Sequence, residues 1–95
     1  MINALTPVMD SSGKFEDIWR GGHPNLPEDI AGLNLRSVIL LNDDSLLHAQ
    51  DDAILSKLAI ITYWKPLSGV IAPSVDDLEE IAYMIKTMPK PLALW

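Results

Sequence analysis

The sequence predicts an α/β domain with a mainly parallel four-stranded sheet and flanking helices. Strand-like runs alternate along the chain with helical patterns, which is typical of parallel sheets connected by right-handed crossovers. Two of the runs, "SVILL" at 37–41 and "PLALW" at 91–95, are continuously apolar and indicate strands buried on both faces. The chain has 95 residues, of which 48% are hydrophobic, enough for one small domain with its own core.

The N-terminal region divides into a lead-in and the start of the domain. Residues 1–14 mix proline, glycine, serine and aspartate and are expected to be a loosely held lead-in with a short extended piece at 4–8. The predicted domain covers 15–95. Its first segment, "FEDIWR" (15–20), has the alternation of an edge strand, and two glycines and a proline follow it.

A short helix is predicted within 25–35. Asn25 can cap its N-terminus, and Pro27 suits the first turn. Ile30 and Leu33 are expected to face inward, and the glycine and asparagine at 32 and 34 suit the helix end.

The second half of the chain alternates helix and strand. A helix is predicted at 46–58, a strand at 59–64, a loop at 65–74 and a further helix from Ser74, ended by "MPKP". Asp77 stands in capping-box position relative to Ser74. We expect the segments 37–41, 60–64 and 91–94 to form one parallel sheet, with 91–94 between the other two.

Composition excludes several functions. The formal net charge is −6 and the pI is about 4.5, so clustered positive charge for nucleic acid or an anionic membrane surface is lacking. No apolar run approaches the roughly 20 residues of a membrane span, and no signal peptide is recognisable, so we expect a soluble, cytoplasmic protein. The sequence has no cysteine, which removes disulfides, thiolate metal sites and a thiol nucleophile from these residues.

Several polar or aromatic residues have both a functional and a structural interpretation, and for each the structural one is preferred. Arg20 could contact phosphate but is expected to make a surface or loop contact. The segment 42–44 ("NDD") could bind Mg²⁺ but suits a solvated turn. The two histidines, His23 in a turn and His48 at a helix start, are not enough ligands for a zinc site. Gly21 and Gly22 are expected to form a turn, and Tyr63 and Trp64 are expected to pack in the domain. We therefore predict no catalytic, cofactor-binding or metal-binding residue and no cofactor.

Four segments taken together resemble the cysteine-dependent dual-specificity phosphatases, and in particular the atypical branch that includes inositol-polyphosphate phosphatases. They are "DIWRGGHPN", "GLNLRSVILLN", "KPLSGVIAPSVDDLEEI" and "PKPLALW", within 15–95. The residues that match family motifs are Arg20, Gly22, Pro24, Leu35, Arg36, Ser37, Val38, Ile39, Leu41, Pro91, Leu92, Ala93 and Leu94. The resemblance implies a protein-tyrosine-phosphatase-like fold.

The sequence departs from the family at the catalytic loop. Trp95 stands where the family has the histidine before the nucleophilic cysteine, and the chain ends before the loop "H-C-x-x-G-x-x-R". The family's general acid is also without a counterpart, because 65–74 contains no acid and Asp76 and Asp77 suit helix capping. We therefore expect an incomplete phosphatase-like domain that is inactive alone. The alternative is a non-catalytic, phosphatase-like protein-interaction module.

The resemblance also implies a partner surface. In the family, helices that follow the phosphate loop cover one face of the central strands. Without them, Val38, Leu40, Leu92 and Leu94, or their alternate-face neighbours, are expected to lose cover. The sequence thus predicts self-association, or pairing with a second polypeptide, through an uncovered sheet face.

Overall fold

The fold, in a computed structural model that describes residues 5–95, is a mixed α/β sheet with two helices. The strands are β1 (Leu5–Met9), β2 (Phe15–Gly21), β3 (Ser37–Leu40), β4 (Ile61–Trp64) and β5 (Leu92–Leu94). The helices are α1 (Ser45–Lys57) and α2 (Val75–Thr87), and a 3₁₀ turn spans Glu28–Ile30.

The strands form one five-stranded sheet in the order β1-β2-β5-β3-β4. Strands β2, β5, β3 and β4 are parallel to one another, and of the five only β1 is antiparallel, pairing with β2 at the edge of the sheet. The α/β prediction with a mainly parallel sheet is confirmed, with one strand more than expected.

The predicted position of the last strand is wrong. Strand β5 lies between β2 and β3, and it is β3 that lies between β5 and β4. Both β3 and β5 therefore have a neighbour on each side. Their apolar runs correctly indicated burial on both faces, but burial does not distinguish between two central positions.

The extra strand, β1, comes from the expected lead-in. Leu5–Met9 pairs with β2 in a hairpin, while residues 1–4 of the lead-in lie outside the described residues. The Asp10 carboxylate closes the hairpin by accepting hydrogen bonds from the backbone N–H groups of Ser12 and Lys14 at 2.8 and 3.0 Å. The hydroxyl of Ser12 donates to the same carboxylate, and these bonds lower the pKa of Asp10.

The short helix predicted within 25–35 is reduced to the 3₁₀ turn. Gly32 and Asn34 have φ values of 87° and 56°, in the left-handed region that ends a helix. The inward side chains are as expected, since Ile30 is buried and Leu33 half-buried.

Both α-helices begin at a capping side chain. Asp44 accepts from the backbone N–H groups of Leu46 and Leu47 at the start of α1. At the start of α2, the predicted capping box of Ser74 and Asp77 is confirmed in both directions.

The core occupies both faces of the sheet. On one face, α1 and the region around the 3₁₀ turn cover the central strands, in a cluster of Leu5, Ile30, Leu35, Val38, Leu40, Leu55, Ile60, Ala93 and Trp95. On the other face, side chains of α2 pack against a cluster of Ile18, Ile39, Met88 and Leu92.

This packing contradicts the premise of an uncovered sheet face. Val38, Leu40 and Leu92 are fully buried, and Leu94 is half-buried. The four residues lie on both faces of the sheet: Val38 and Leu40 belong to the cluster on one face, and Leu92 and Leu94 pack on the other with Met84 and Ile85 of α2. Within residues 5–95, no helix is long and apolar enough to cross a membrane.

Candidate functional site

The carboxyl ends of the four parallel strands meet at one edge of the sheet. Ligands of open α/β sheets bind beyond this edge, because the loops that leave it carry the polar groups. Here the edge is formed by the loops after β2, β3 and β4 and by Trp95, which directly follows β5.

A buried carboxylate, Asp51, connects three elements at this edge. Asp51 lies in α1 and is only 2% exposed. His23 Nε2, from the loop after β2, is 3.0 Å from each carboxylate oxygen, and Trp95 Nε1 donates to Oδ2 at 3.2 Å. The His23 and Trp95 rings meet edge-to-face with centroids 6.5 Å apart. The carboxylate therefore fixes the orientation of the imidazole and forms an ion pair with it when His23 is protonated.

The role of Asp51 was missed from the sequence, although a signal existed. Asp51 is four residues after Leu47 and four before Leu55, on the inward side of α1. An acid on an apolar helix face needs a buried partner. His23, by contrast, was expected only to occupy the turn before Pro24.

A cavity of about 500 Å³ opens beside His23 and Asp51. Its apolar lining comes from Pro24, Leu26, Leu47 and Ile54, and its polar lining from His23, Asn25, Glu28, Asp29, Gln50 and Asp51. Within the described part of the chain, no lysine or arginine lines this cavity. Because three carboxylates and no fixed cation face it, the cavity is poorly suited to an anionic ligand.

The second histidine belongs to a separate stack. His48 lies flat on Trp64, with centroids 4.1 Å apart and planes at 9°. Trp64 Nε1 donates to the backbone carbonyl of Asn42 at 2.6 Å. Tyr63 packs with the cluster under α2, so the packing role predicted for both aromatics is confirmed. His48 Nδ1 and Asn42 Nδ2 are buried without a hydrogen-bond partner among the described residues.

The other candidate residues have structural positions. Arg20 is exposed on β2, and its carbonyl accepts from Thr6 Oγ1 at 3.3 Å. In the segment 42–44, the side chain of Asn42 accepts from the backbone N–H of Asp44, which in turn caps α1. Residues 5–95 contain no group of three histidines or acids placed to hold a metal ion.

Lys65 forms ion pairs with two acids of α2, Asp77 and Glu80. Its Nζ lies 2.9 Å from Asp77 and 2.8 Å from Glu80. The hydrogen bonds from Lys65 lower the pKa of both carboxyl groups, and the same pairing raises the pKa of Lys65. Asp77 is thus the capping residue that the sequence predicted and also an ion-pair partner of Lys65, which the sequence did not predict.

Comparison with known proteins identifies the fold. No family model matches the sequence, and no curated protein matches it. Among solved structures, the chain is similar to the core catalytic domain of the PP-IP phosphatase SIW14 from S. cerevisiae, determined in complex with citrate. The fold is phosphatase-like. The TM-score is 0.68 at 20% identity over 96% of this chain, which spans about half (54%) of that domain.

Hydrogen bonds join the start of β3 to the segment that leads into β5. Ser37, at the start of β3, is fully buried, and its hydroxyl donates to the carbonyl of Pro89 at 2.5 Å. The backbone N–H of Arg36 donates to the carbonyl of Pro91 at 2.8 Å. These bonds hold the segment that leads into β5 beside the start of β3.

Proposed function

We propose that these 95 residues form the scaffold of a cysteine-dependent, dual-specificity-type phosphatase domain and do not hydrolyse phosphate monoesters by themselves. The observation that carries the proposal is the end of β5. The side chain delivered there is the buried indole of Trp95, bonded to Asp51, at the position where the resemblance implies the histidine before the nucleophile.

The chemistry of the proposed family requires groups that these residues lack. Its nucleophile is a thiolate with a lowered pKa, and the sequence has no cysteine. The phosphate is held by backbone N–H groups and an arginine, whereas the cavity at this edge is lined by Glu28, Asp29 and Asp51. A phosphate dianion would be repelled by these carboxylates.

The substrate of a completed domain is a further part of the proposal. With a phosphate loop supplied by additional residues or a second polypeptide, we expect hydrolysis of phosphate esters or anhydrides. Because the similar solved structure is of a PP-IP phosphatase, inositol pyrophosphates are the first substrates to test, before phosphotyrosine and phosphoserine peptides.

The second candidate function is a non-catalytic interaction module with a phosphatase-like fold. Exposed apolar side chains at and before the start of α2 favour it, since soluble domains rarely present neighbouring large apolar residues to water. Val70 is 94% exposed, Ile71 72% and Val75 70%. A module of this kind would act by binding another polypeptide.

Phosphate release by the purified 95-residue chain tests the proposal. We expect rates at background with p-nitrophenyl phosphate and with an inositol pyrophosphate. Turnover that His23→Ala abolishes and Asp43→Ala leaves unchanged would overturn it, because it would identify the His23–Asp51 pair as a catalytic unit. The predicted cytoplasmic location can be tested by imaging a fluorescent fusion.

A further inference from the structure

Apolar residues run along α2 beyond the part of the helix that packs against the sheet. Met84, Ile85 and Met88 at the C-terminal half pack against the sheet cluster. Val75 and Leu78 at the N-terminal half are 70% and 54% exposed. One side of α2 therefore carries apolar residues with no cover among the described residues.

These residues follow a coiled-coil spacing. Val75, Leu78, Ala82 and Ile85 occupy successive a, d, a and d positions of a heptad, which lie in one line along the helix. We call this line the α2 seam. In the same heptads, the e positions are Glu79 and Lys86, both exposed.

We propose that the α2 seam binds the α2 seam of a second copy of this chain, in antiparallel orientation. In an antiparallel helix pair, the e residues of the two helices face one another, N-terminal half against C-terminal half. Glu79 of each copy would then face the partner's Lys86, forming two equivalent ion pairs about a two-fold axis. Leu78 would pack near the partner's Ala82, at the centre of the contact.

Charge favours this orientation over a parallel one. In a parallel pair, e positions face g positions, and the g positions here are Ser74, Ile81 and Met88, which carry no charge. The other acids of α2 lie away from the seam by helical spacing, and two of them, Asp77 and Glu80, are bound to Lys65. Two copies with a net charge of −6 each can therefore approach through this side.

The proposal gives the expected self-association a different surface. The sheet face predicted for it is covered, whereas three of the four residues of the α2 seam (Val75, Leu78 and Ala82) are exposed and the fourth, Ile85, is half-buried against the sheet cluster. A single helix pair buries less than the roughly 1,200 Å² of a stable interface, so we expect a weak dimer with a dissociation constant in the micromolar range. Val70 and Ile71 precede α2 and are available to extend the contact.

Sedimentation equilibrium of the full chain, from about 10 µM to about 1 mM, measures this association. We expect a monomer–dimer equilibrium for the wild type. Leu78→Glu should raise the dissociation constant at least about tenfold, because each dimer loses two packed leucines. The matched control, Leu46→Glu, makes the same change at a leucine of α1 that is 68% exposed, and it should leave the dissociation constant unchanged. A monomeric wild type, or equal effects of the two substitutions, would overturn the proposal.

A charge exchange tests the orientation and does not depend on the leucine variant. Glu79→Lys and Lys86→Glu should each weaken the homodimer, because they place like charges opposite one another. An equimolar mixture of the two variants should associate more tightly than either alone, since every facing pair is then of opposite sign. A mixture no tighter than its components would exclude the antiparallel arrangement.

Discussion

The indole Nε1 of Trp95 donates a hydrogen bond to Oδ2 of Asp51 at 3.2 Å, joining the end of β5 to the middle of α1. The residues are 44 positions apart in the sequence, and both are buried. His23 Nε2 lies 3.0 Å from the same carboxylate. One buried acid therefore joins three elements at the edge of the sheet where the parallel strands end.

Replacing Asp51 with alanine should destabilise the chain by about 2–3 kcal/mol, since it leaves a buried indole N–H without an acceptor and removes a charge-assisted bond. Asp51→Asn should cost less, because its amide oxygen can still accept from Trp95. Urea unfolding followed by Trp fluorescence measures both, with exposed Asp43→Ala as the control. Equal costs for the alanine and asparagine variants would mean that the hydrogen bond to Trp95 contributes little.

Loss of the Ser37 hydroxyl should lower the free energy of unfolding by about 1 kcal/mol, because the bond to the Pro89 carbonyl is lost in a fully buried site. Urea unfolding of Ser37→Ala and Ser37→Thr separates the effect of losing the hydroxyl group from the effect of changing the side-chain volume. Threonine keeps the donor and should be less destabilising than alanine if its extra methyl group is accommodated. Alanine as stable as the wild type would contradict the role assigned to this bond.

The Lys65 ion pairs should make stability depend on pH in the acid range. The pKa values of Asp77 and Glu80 are lowered from their ordinary values of 3.8 and 4.5, chiefly by hydrogen bonds from Lys65. Their contribution is therefore complete above these values and is lost as the pH falls through the lowered ones. Thermal melts from about pH 6 to about pH 2 should show a shallower loss for Lys65→Met than for the wild type. Lys57→Met, in the last turn of α1, is the control and should follow the wild type.

His48→Phe should be neutral or stabilising by up to about 1 kcal/mol, because it keeps the stack on Trp64 and removes a buried nitrogen that has no partner among the described residues. His48→Ala should instead destabilise by about 1 kcal/mol through loss of the stacked ring. Chemical denaturation of the two variants distinguishes these effects. A strongly destabilising phenylalanine would show that the imidazole nitrogen makes a bond, for example to water.

Local features of the sequence were sufficient for most elements. The capping box of Ser74 and Asp77 placed the start of α2, and the apolar runs placed β3 and β5, because caps and periodicity involve residues only a few positions apart. The four motif segments, through their order along the chain, also indicated the phosphatase-like fold. The helix predicted within 25–35 is only a 3₁₀ turn, because the backbone becomes extended at Ala31 and left-handed at Gly32 and Asn34.

The sequence by itself thus determined the fold class, the order of elements from β3 to β5 and the lack of a cysteine nucleophile in these residues. The tertiary structure decided the order of strands in the sheet, the covering of both its faces and the pairing of Asp51 with His23 and Trp95. Those pairs join residues 28 and 44 positions apart. Hydrophobic patterning reports whether a side chain is buried, but contacts across such separations depend on how whole elements pack, which no local pattern encodes.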